Sequence, residues 1–207
     1  MNKILTALAA SLLLSNVAPA FAASTVDLTV KGLITPSACT PSLSSGGVID
    51  HGKVSAKDLQ TDKSTLIGTH TLTMGVSCDA ATLIALHAID NRSGSSTDPN
   101  GYGLGLINSD QKLGYFQLVL GDSPVADNVV VQNIASLDNG ETWFSEKFWD
   151  AGLYMSVAAM NDDSQPVPIK ELTTDLNVYT VIARTDSLDL SNEVPIDGSA
   201  TVEVKYL

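Results

Sequence analysis

The chain has 207 residues, a mass of 21.7 kDa and a formal net charge of -12. Its 11 Lys+Arg stand against 23 Asp+Glu and form no basic cluster, which argues against nucleic acid and against an anionic membrane surface as partners. A hydrophobic content of 44% is too high for a disordered chain, and the length suits one domain.

Residues 1–22 read as a secretory signal peptide. Lys3 supplies the positive start, residues 4–17 are mostly apolar, and Ala20-Phe21-Ala22 is an A-x-A cleavage site. The apolar stretch falls short of the roughly 20 residues a spanning helix needs. No later segment is apolar for long enough, so no membrane insertion is expected. The residue directly after the cleavage site is Ala23, not a cysteine, which argues against a lipoprotein. Cleavage removes one lysine and no acid, leaving an exported chain that is more acidic still.

The next element is a strand over 26–34. Val26, Leu28, Val30 and Ile34 alternate with Asp27, Thr29, Lys31 and Leu33, and Gly32 keeps the apolar register. Pro36 and Pro41 then punctuate the chain, and no partner strand lies within hairpin reach. Periodicity alone favours an ordinary first strand of the domain's own sheet. Ser44-Ser45-Gly46-Gly47 predicts a turn, and 55–62 has room for one helical turn. Leu66, Leu72, Met74, Val76 and Cys78 share one strand parity, with Thr71, Thr73 and Ser77 opposite. An apolar run at 83–89 follows, then a long loop over 91–105. Further strands are expected over 115–120, 129–134, 153–160 and 178–183, with a second helical turn over 141–150. Turn chemistry fills the gaps at Asp138-Asn139-Gly140, 161–168 and Asp197-Gly198. Last come Ala200, Val202, Val204 and Tyr206, alternating with Thr201, Glu203 and Lys205. Short period-2 runs separated by turns predict an all-β antiparallel sandwich.

Cys39 and Cys78 are the only cysteines. In an oxidising compartment they pair as one disulfide, which removes about 4 kcal/mol of unfolded-chain entropy. Three histidines, His51, His70 and His87, have no metal-ligand spacing, and His70 and His87 read as packed or rim residues. Gly101-Tyr102-Gly103-Leu104-Gly105 lacks a phosphate-binding lysine and reads as a flexible turn entering a strand. Glu141 and Glu146, flanked by Trp143, Phe144, Phe148 and Trp149, suggest an aromatic-anchored loop with solvated acids in preference to a sugar site. Asp162-Asp163 and the acids at 138–141 do not follow the spacing of an EF-hand loop. No catalytic residue, metal ligand or cofactor is assigned, and no enzyme activity is expected.

The two ends of the chain carry the most information. Val26-Asp27-Leu28-Thr29-Val30-Lys31-Gly32-Leu33-Ile34-Thr35-Pro36-Ser37-Ala38-Cys39 combines an alternating, Gly-containing strand with a Cys soon after a Pro. Thr71-Leu72-Thr73-Met74-Gly75-Val76-Ser77-Cys78 ends an alternating strand on the second Cys. Val202-Glu203-Val204-Lys205-Tyr206-Leu207 ends with a penultimate Tyr. In this order, behind a signal peptide, these features resemble the chaperone–usher fimbrial (pilin) subunits of Gram-negative bacteria, in a less-studied branch. The resemblance reaches both ends of the exported chain but does not extend motif by motif through 91–177. The exported chain is also larger than many pilin domains, and the glycine nearest the terminal Tyr is Gly198.

The resemblance implies an incomplete immunoglobulin-like antiparallel sandwich with an N-terminal donor-strand extension. Residues 1–22 are then the signal peptide, 23–35 the extension and 36–207 the pilin-like domain. Val26, Leu28, Val30 and Ile34 would fill pockets of the next subunit, and Gly32 would cross a shallow part of its groove. Val202, Val204, Tyr206 and Leu207 would form the groove edge and the chaperone contact. The implied partners are other fimbrial subunits in a head-to-tail polymer, a periplasmic chaperone and an outer-membrane usher. The implied location is a surface fimbrium, reached through the periplasm, that serves adhesion or biofilm formation. The competing expectation is a self-contained secreted β-sandwich module, lectin-like or calcium-binding, whose N-terminal strand completes its own sheet.

Overall fold

Alternation sets the frame of the computed structural model, which describes Thr29 and residues 38–207. The expected donor-strand residues Val26, Leu28, Val30, Gly32 and Ile34 lie outside the described residues, as does the expected signal peptide. Thr35–Leu207 forms one unit, and the account that follows is of that unit.

In chain order the strands begin with β1 (Cys39–Leu43), β2 (Thr65–Thr82), β3 (Ile84–Asp90), β4 (Tyr102–Gly103) and β5 (Leu106–Ile107). Next come β6 (Gln111–Lys112), β7 (Gly114–Leu120), β8 (Val125–Ala126), β9 (Val129–Val130) and β10 (Gln132–Ser136). The last are β11 (Phe144–Ser145), β12 (Phe148–Trp149), β13 (Tyr154–Ala158), β14 (Ile169–Ile182) and β15 (Ala200–Tyr206). One sheet runs β1-β2-β14-β7-β12, with β4 beside β7 and β8 beside β14. A second runs β11-β10-β13-β3-β15, and β5 and β6 form a separate two-stranded pair. All their pairings are antiparallel, and the two sheets enclose one apolar core. The all-β sandwich read from the sequence is the fold.

The spine of the larger sheet is the β2–β14 pair, in register from Thr65 opposite Ile182 to Thr82 opposite Ile169, with two irregularities. Leu72, Met74, Val76 and Cys78 of β2 are buried, while Thr71, Thr73 and Ser77 are exposed. That is the alternation expected of a strand with one wet face. β14 places Leu172, Leu176, Val178 and Ile182 in the same core, and β7 adds Phe116, Leu118 and Leu120. Across the sandwich stand Ile84, Leu86 and Ala88 of β3 with Met155 and Val157 of β13.

Several local expectations change. β14 starts well before 178, because its first half interleaves exposed Lys170, Glu171, Thr173 and Asp175 with buried Leu172 and Leu176. Pro41 lies inside β1, where it had read as punctuation. β1 ends its sheet, and an edge strand tolerates the missing N–H. The 141–150 segment forms β11 and β12 in place of a helical turn, whereas 55–62 does contain a short 3-10 turn, Ala56–Asp58, capped by Ser55. The glycine-rich 101–105 stretch is buried β4 and its flanks, not a flexible turn. A Cβ on Gly103 would stand 2.0 Å from Ser95 Oγ and 2.6 Å from the Arg92 carbonyl, so close backbone packing requires the glycine.

Candidate functional site

β1 is short and begins at the disulfide. Cys39 pairs directly opposite Cys78 of β2, and the two are bonded. Among the described residues β1 pairs only with β2, and β15 pairs only with β3. Each strand therefore ends its sheet, and an unpaired edge presents a row of free N–H and C=O groups.

The two edges meet at one end. The Cys39 N–H donates to the Tyr206 hydroxyl at 2.9 Å, joining the start of β1 to the end of β15. Away from this bridge they part. A cavity of about 240 Å³ opens between Leu43 on β1 and Ala200 and Val202 on β15. Leu72 of β2, Phe116 and Leu118 of β7, and Leu176 and Val178 of β14 line it. These are inward residues of the larger sheet, so the groove gives access to the core itself.

Past Leu43 the groove continues by way of Ile49, His51 and Ile196 into a cleft of about 720 Å³ lined by residues of 49–59 and 190–196. Ile49, Leu59, Leu190, Val194 and Ile196 pack against the core from these two irregular segments. Lys53 and Glu193 form an ion pair between them at 2.8 Å, with both side chains 89% exposed. Such a pair is worth at most about 1 kcal/mol.

The expected groove-edge residues fall on this arrangement in different ways. Val202 lines the cavity, and Val202 and Val204 pack against the core from the edge strand. Tyr206 closes the narrow end through its hydroxyl, and the residue is 37% exposed. Leu207 lies beyond the strand, where its N–H donates to the Leu83 carbonyl at 3.1 Å. Glu203 and Lys205 pair with each other.

The other singled-out residues do not gather at the groove. Trp149 is fully buried and its indole N–H donates to the Leu153 carbonyl, so it is a core residue. Phe144 and Phe148 are partly exposed, and Glu146 accepts the N–H groups of Lys147 and Phe148. Asp138 is the hub of its turn. Its carboxylate accepts from the Thr142 hydroxyl, the Ser136 hydroxyl and the Thr142 N–H, and these bonds lower its pKa to about 2. Asp162 caps Ser164, and Asp163 accepts the Ser145 N–H. His87 packs against Tyr154 with ring centroids 4.9 Å apart. Among the described residues, no three His, Cys, Asp or Glu side chains gather as a metal site.

Two features were missed at the level of sequence. Ile49, Val194 and Ile196 line the groove and cleft from segments with no regular structure. Their i, i+2 spacing at 49/51 and 194/196 is the signal that could have found them. The second feature is polar: His51, carried by the segment after β1, stands against His70 on the inner face of β2. Their rings are 4.9 Å apart and nearly perpendicular, at 80°. His51 Nε2 is 2.9 Å from the Thr180 hydroxyl on β14. Burial, with His70 beside it, holds His51 below the ordinary imidazole pKa, against a smaller opposing pull from Asp50.

Residues 28–117 match a family described as a protein of unknown function, DUF1120. That span starts at Leu28 and ends in β7, so it takes in both cysteines. Over more of its length the chain is similar to two proteins of Escherichia coli (strain K12). One is the uncharacterized protein YhcF, 26% identical over 221 residues, covering 90% of this chain and 92% of YhcF. The other is protein GltF, 26% identical over 223 residues, covering 87% of this chain and 88% of GltF.

Proposed function

We propose that the chain is a structural, non-enzymatic subunit of a surface fimbrium that polymerises by donor-strand exchange. The observation that carries the reading is the groove: two unpaired edges, β1 and β15, flank an opening into the core. A strand laid there would pair with free backbone groups and bury alternate side chains, which is β-strand addition. The chain itself supplies a segment of the right pattern in Val26, Leu28, Val30 and Ile34. Extended, 26–34 reaches roughly 30 Å, against about 23 Å for β15, so it would overlap the strand and enter the adjoining cleft. A chain with both a donor strand and a groove makes heterologous contacts, which build open filaments.

On this reading a periplasmic chaperone first covers the groove, and an outer-membrane usher then exchanges it for the next subunit's strand. Neither step uses a cofactor. The fibre serves attachment or biofilm formation at the cell surface. The test is to replace Leu28 or Val30 with Asp in the producing cell. Each charge would have to enter an apolar pocket, so incorporation into fibres is expected to fall at least tenfold while the subunit still co-purifies with its chaperone. Normal polymerisation of both variants would mean that 26–34 is not the donor strand.

A further inference from the structure

The geometry points to a two-histidine binding site for a divalent transition metal, Cu²⁺ foremost, formed by His51 Nδ1 and His70 Nε2 beside Gly68. Gly68 lies on the inner face of β2, two residues before His70. A Cβ there would stand 3.1 Å from His51 Nδ1 and 3.2 Å from His70 Nε2. Two imidazole nitrogens therefore border one small space, which a side chain would fill and glycine leaves open. Gly68 has an ordinary negative-φ backbone, so the space rather than the backbone angle distinguishes the position.

The other nitrogen of His51 is already engaged. In the tautomer whose Nε2–H donates to Thr180 Oγ1, at 2.9 Å, Nδ1 keeps a free lone pair, and it lies 3.1 Å from the Gly68 Cβ position. A hydrogen bond on the far nitrogen is the usual support of a ligating histidine. Among the described residues neither His51 Nδ1 nor His70 Nε2 makes a hydrogen bond to another protein group. The rings are nearly perpendicular with centroids 4.9 Å apart, and ligation would hold both nitrogens about 2.0–2.1 Å from the ion. Imidazole pairs suit copper and zinc, and the divalent affinity order places Cu²⁺ highest. No third protein ligand joins the pair among the described residues. Water would therefore complete the coordination through the open groove. A bound ion would tie the segment after β1 to β2 at the groove's wide end, whatever fills that groove.

The test uses the full chain, produced without a polyhistidine tag and titrated with Cu²⁺ against a weak competing chelator. The expected result is one ion per chain and an electron paramagnetic resonance spectrum with coupling to two nitrogens. His51→Phe and His70→Phe should each weaken binding at least tenfold. Gly68→Ala, with both histidines retained, should do the same, and His87→Phe should leave binding unchanged. Absence of binding, equal affinity in His70→Phe, or a native spectrum without coupling to two nitrogens would each overturn the site. The native spectrum does not depend on any variant folding. Melting curves without metal separate a damaged fold from a lost ligand.

Discussion

Asp138 has a turn to itself. Its carboxylate holds Thr142 and Ser136, and the same turn sets the Trp143 indole N–H on the Gly140 carbonyl at 3.1 Å. Its pKa falls from 3.8 to about 2 because these bonds favour the charged form. A group lowered on folding adds stability above its free value, and that stability is lost as pH falls through the folded value. The turn is therefore expected to stay intact down to about pH 4 and to loosen between there and pH 2. The NMR resonance of the Trp143 indole N–H checks this, and Asp138→Asn should abolish the pH dependence in that window. Tyr206 offers a second residue-scale test. Tyr206→Phe removes only the acceptor of the Cys39 N–H, so chemical denaturation should show a loss of about 1 kcal/mol. Both residues are conspicuous in the sequence, one in an Asp-Asn-Gly turn and the other next to the C-terminus. Their partners are not, since Tyr206 and Cys39 lie far apart along the chain.

At the scale of the element, β1 is the strand most dependent on its anchor. It is five residues long, contains Pro41 and pairs on one side. The Cys39–Cys78 bond fixes its first residue opposite the end of the inward-facing run of β2. Replacing both cysteines with Ala is expected to cost about 2–5 kcal/mol and to free the β1 edge of the groove. Denaturation measures the first effect, and hydrogen exchange at 39–43 the second. β2 and β15 were legible because alternation is local, and β3 and β7 because a short apolar run bounded by turn residues reads as a strand. β14 was legible only from 178, because Lys170, Glu171, Thr173, Thr174 and Asp175 leave Leu172 and Leu176 as isolated apolar residues before it. β4, β5, β6 and β8 were not legible at all. Each is two residues long, and a pair of residues carries no period.

For the whole molecule, the proposed function makes stability a property of the occupied groove. A chain lacking 23–35 would gain stability from a peptide spanning 24–35. At a hundredfold excess over the dissociation constant the gain is about 2.7 kcal/mol, or roughly 5–10 °C in melting temperature. A melting temperature indifferent to the peptide would mean that the sandwich needs no added strand, and the fimbrial reading would then lose its basis.

The sequence by itself determined the all-β class, the single disulfide and the inward parity of the main strands, because these follow from composition, cysteine count and a period of two. Only the tertiary structure decided that β1 and β15 end different sheets and meet at Cys39 and Tyr206. It also decided that the core opens between them, and that His51, His70 and Gly68 share one corner. Those relations depend on pairing order and on irregular segments packing across the sheets. Such contacts join residues far apart in the chain, and no local pattern encodes them.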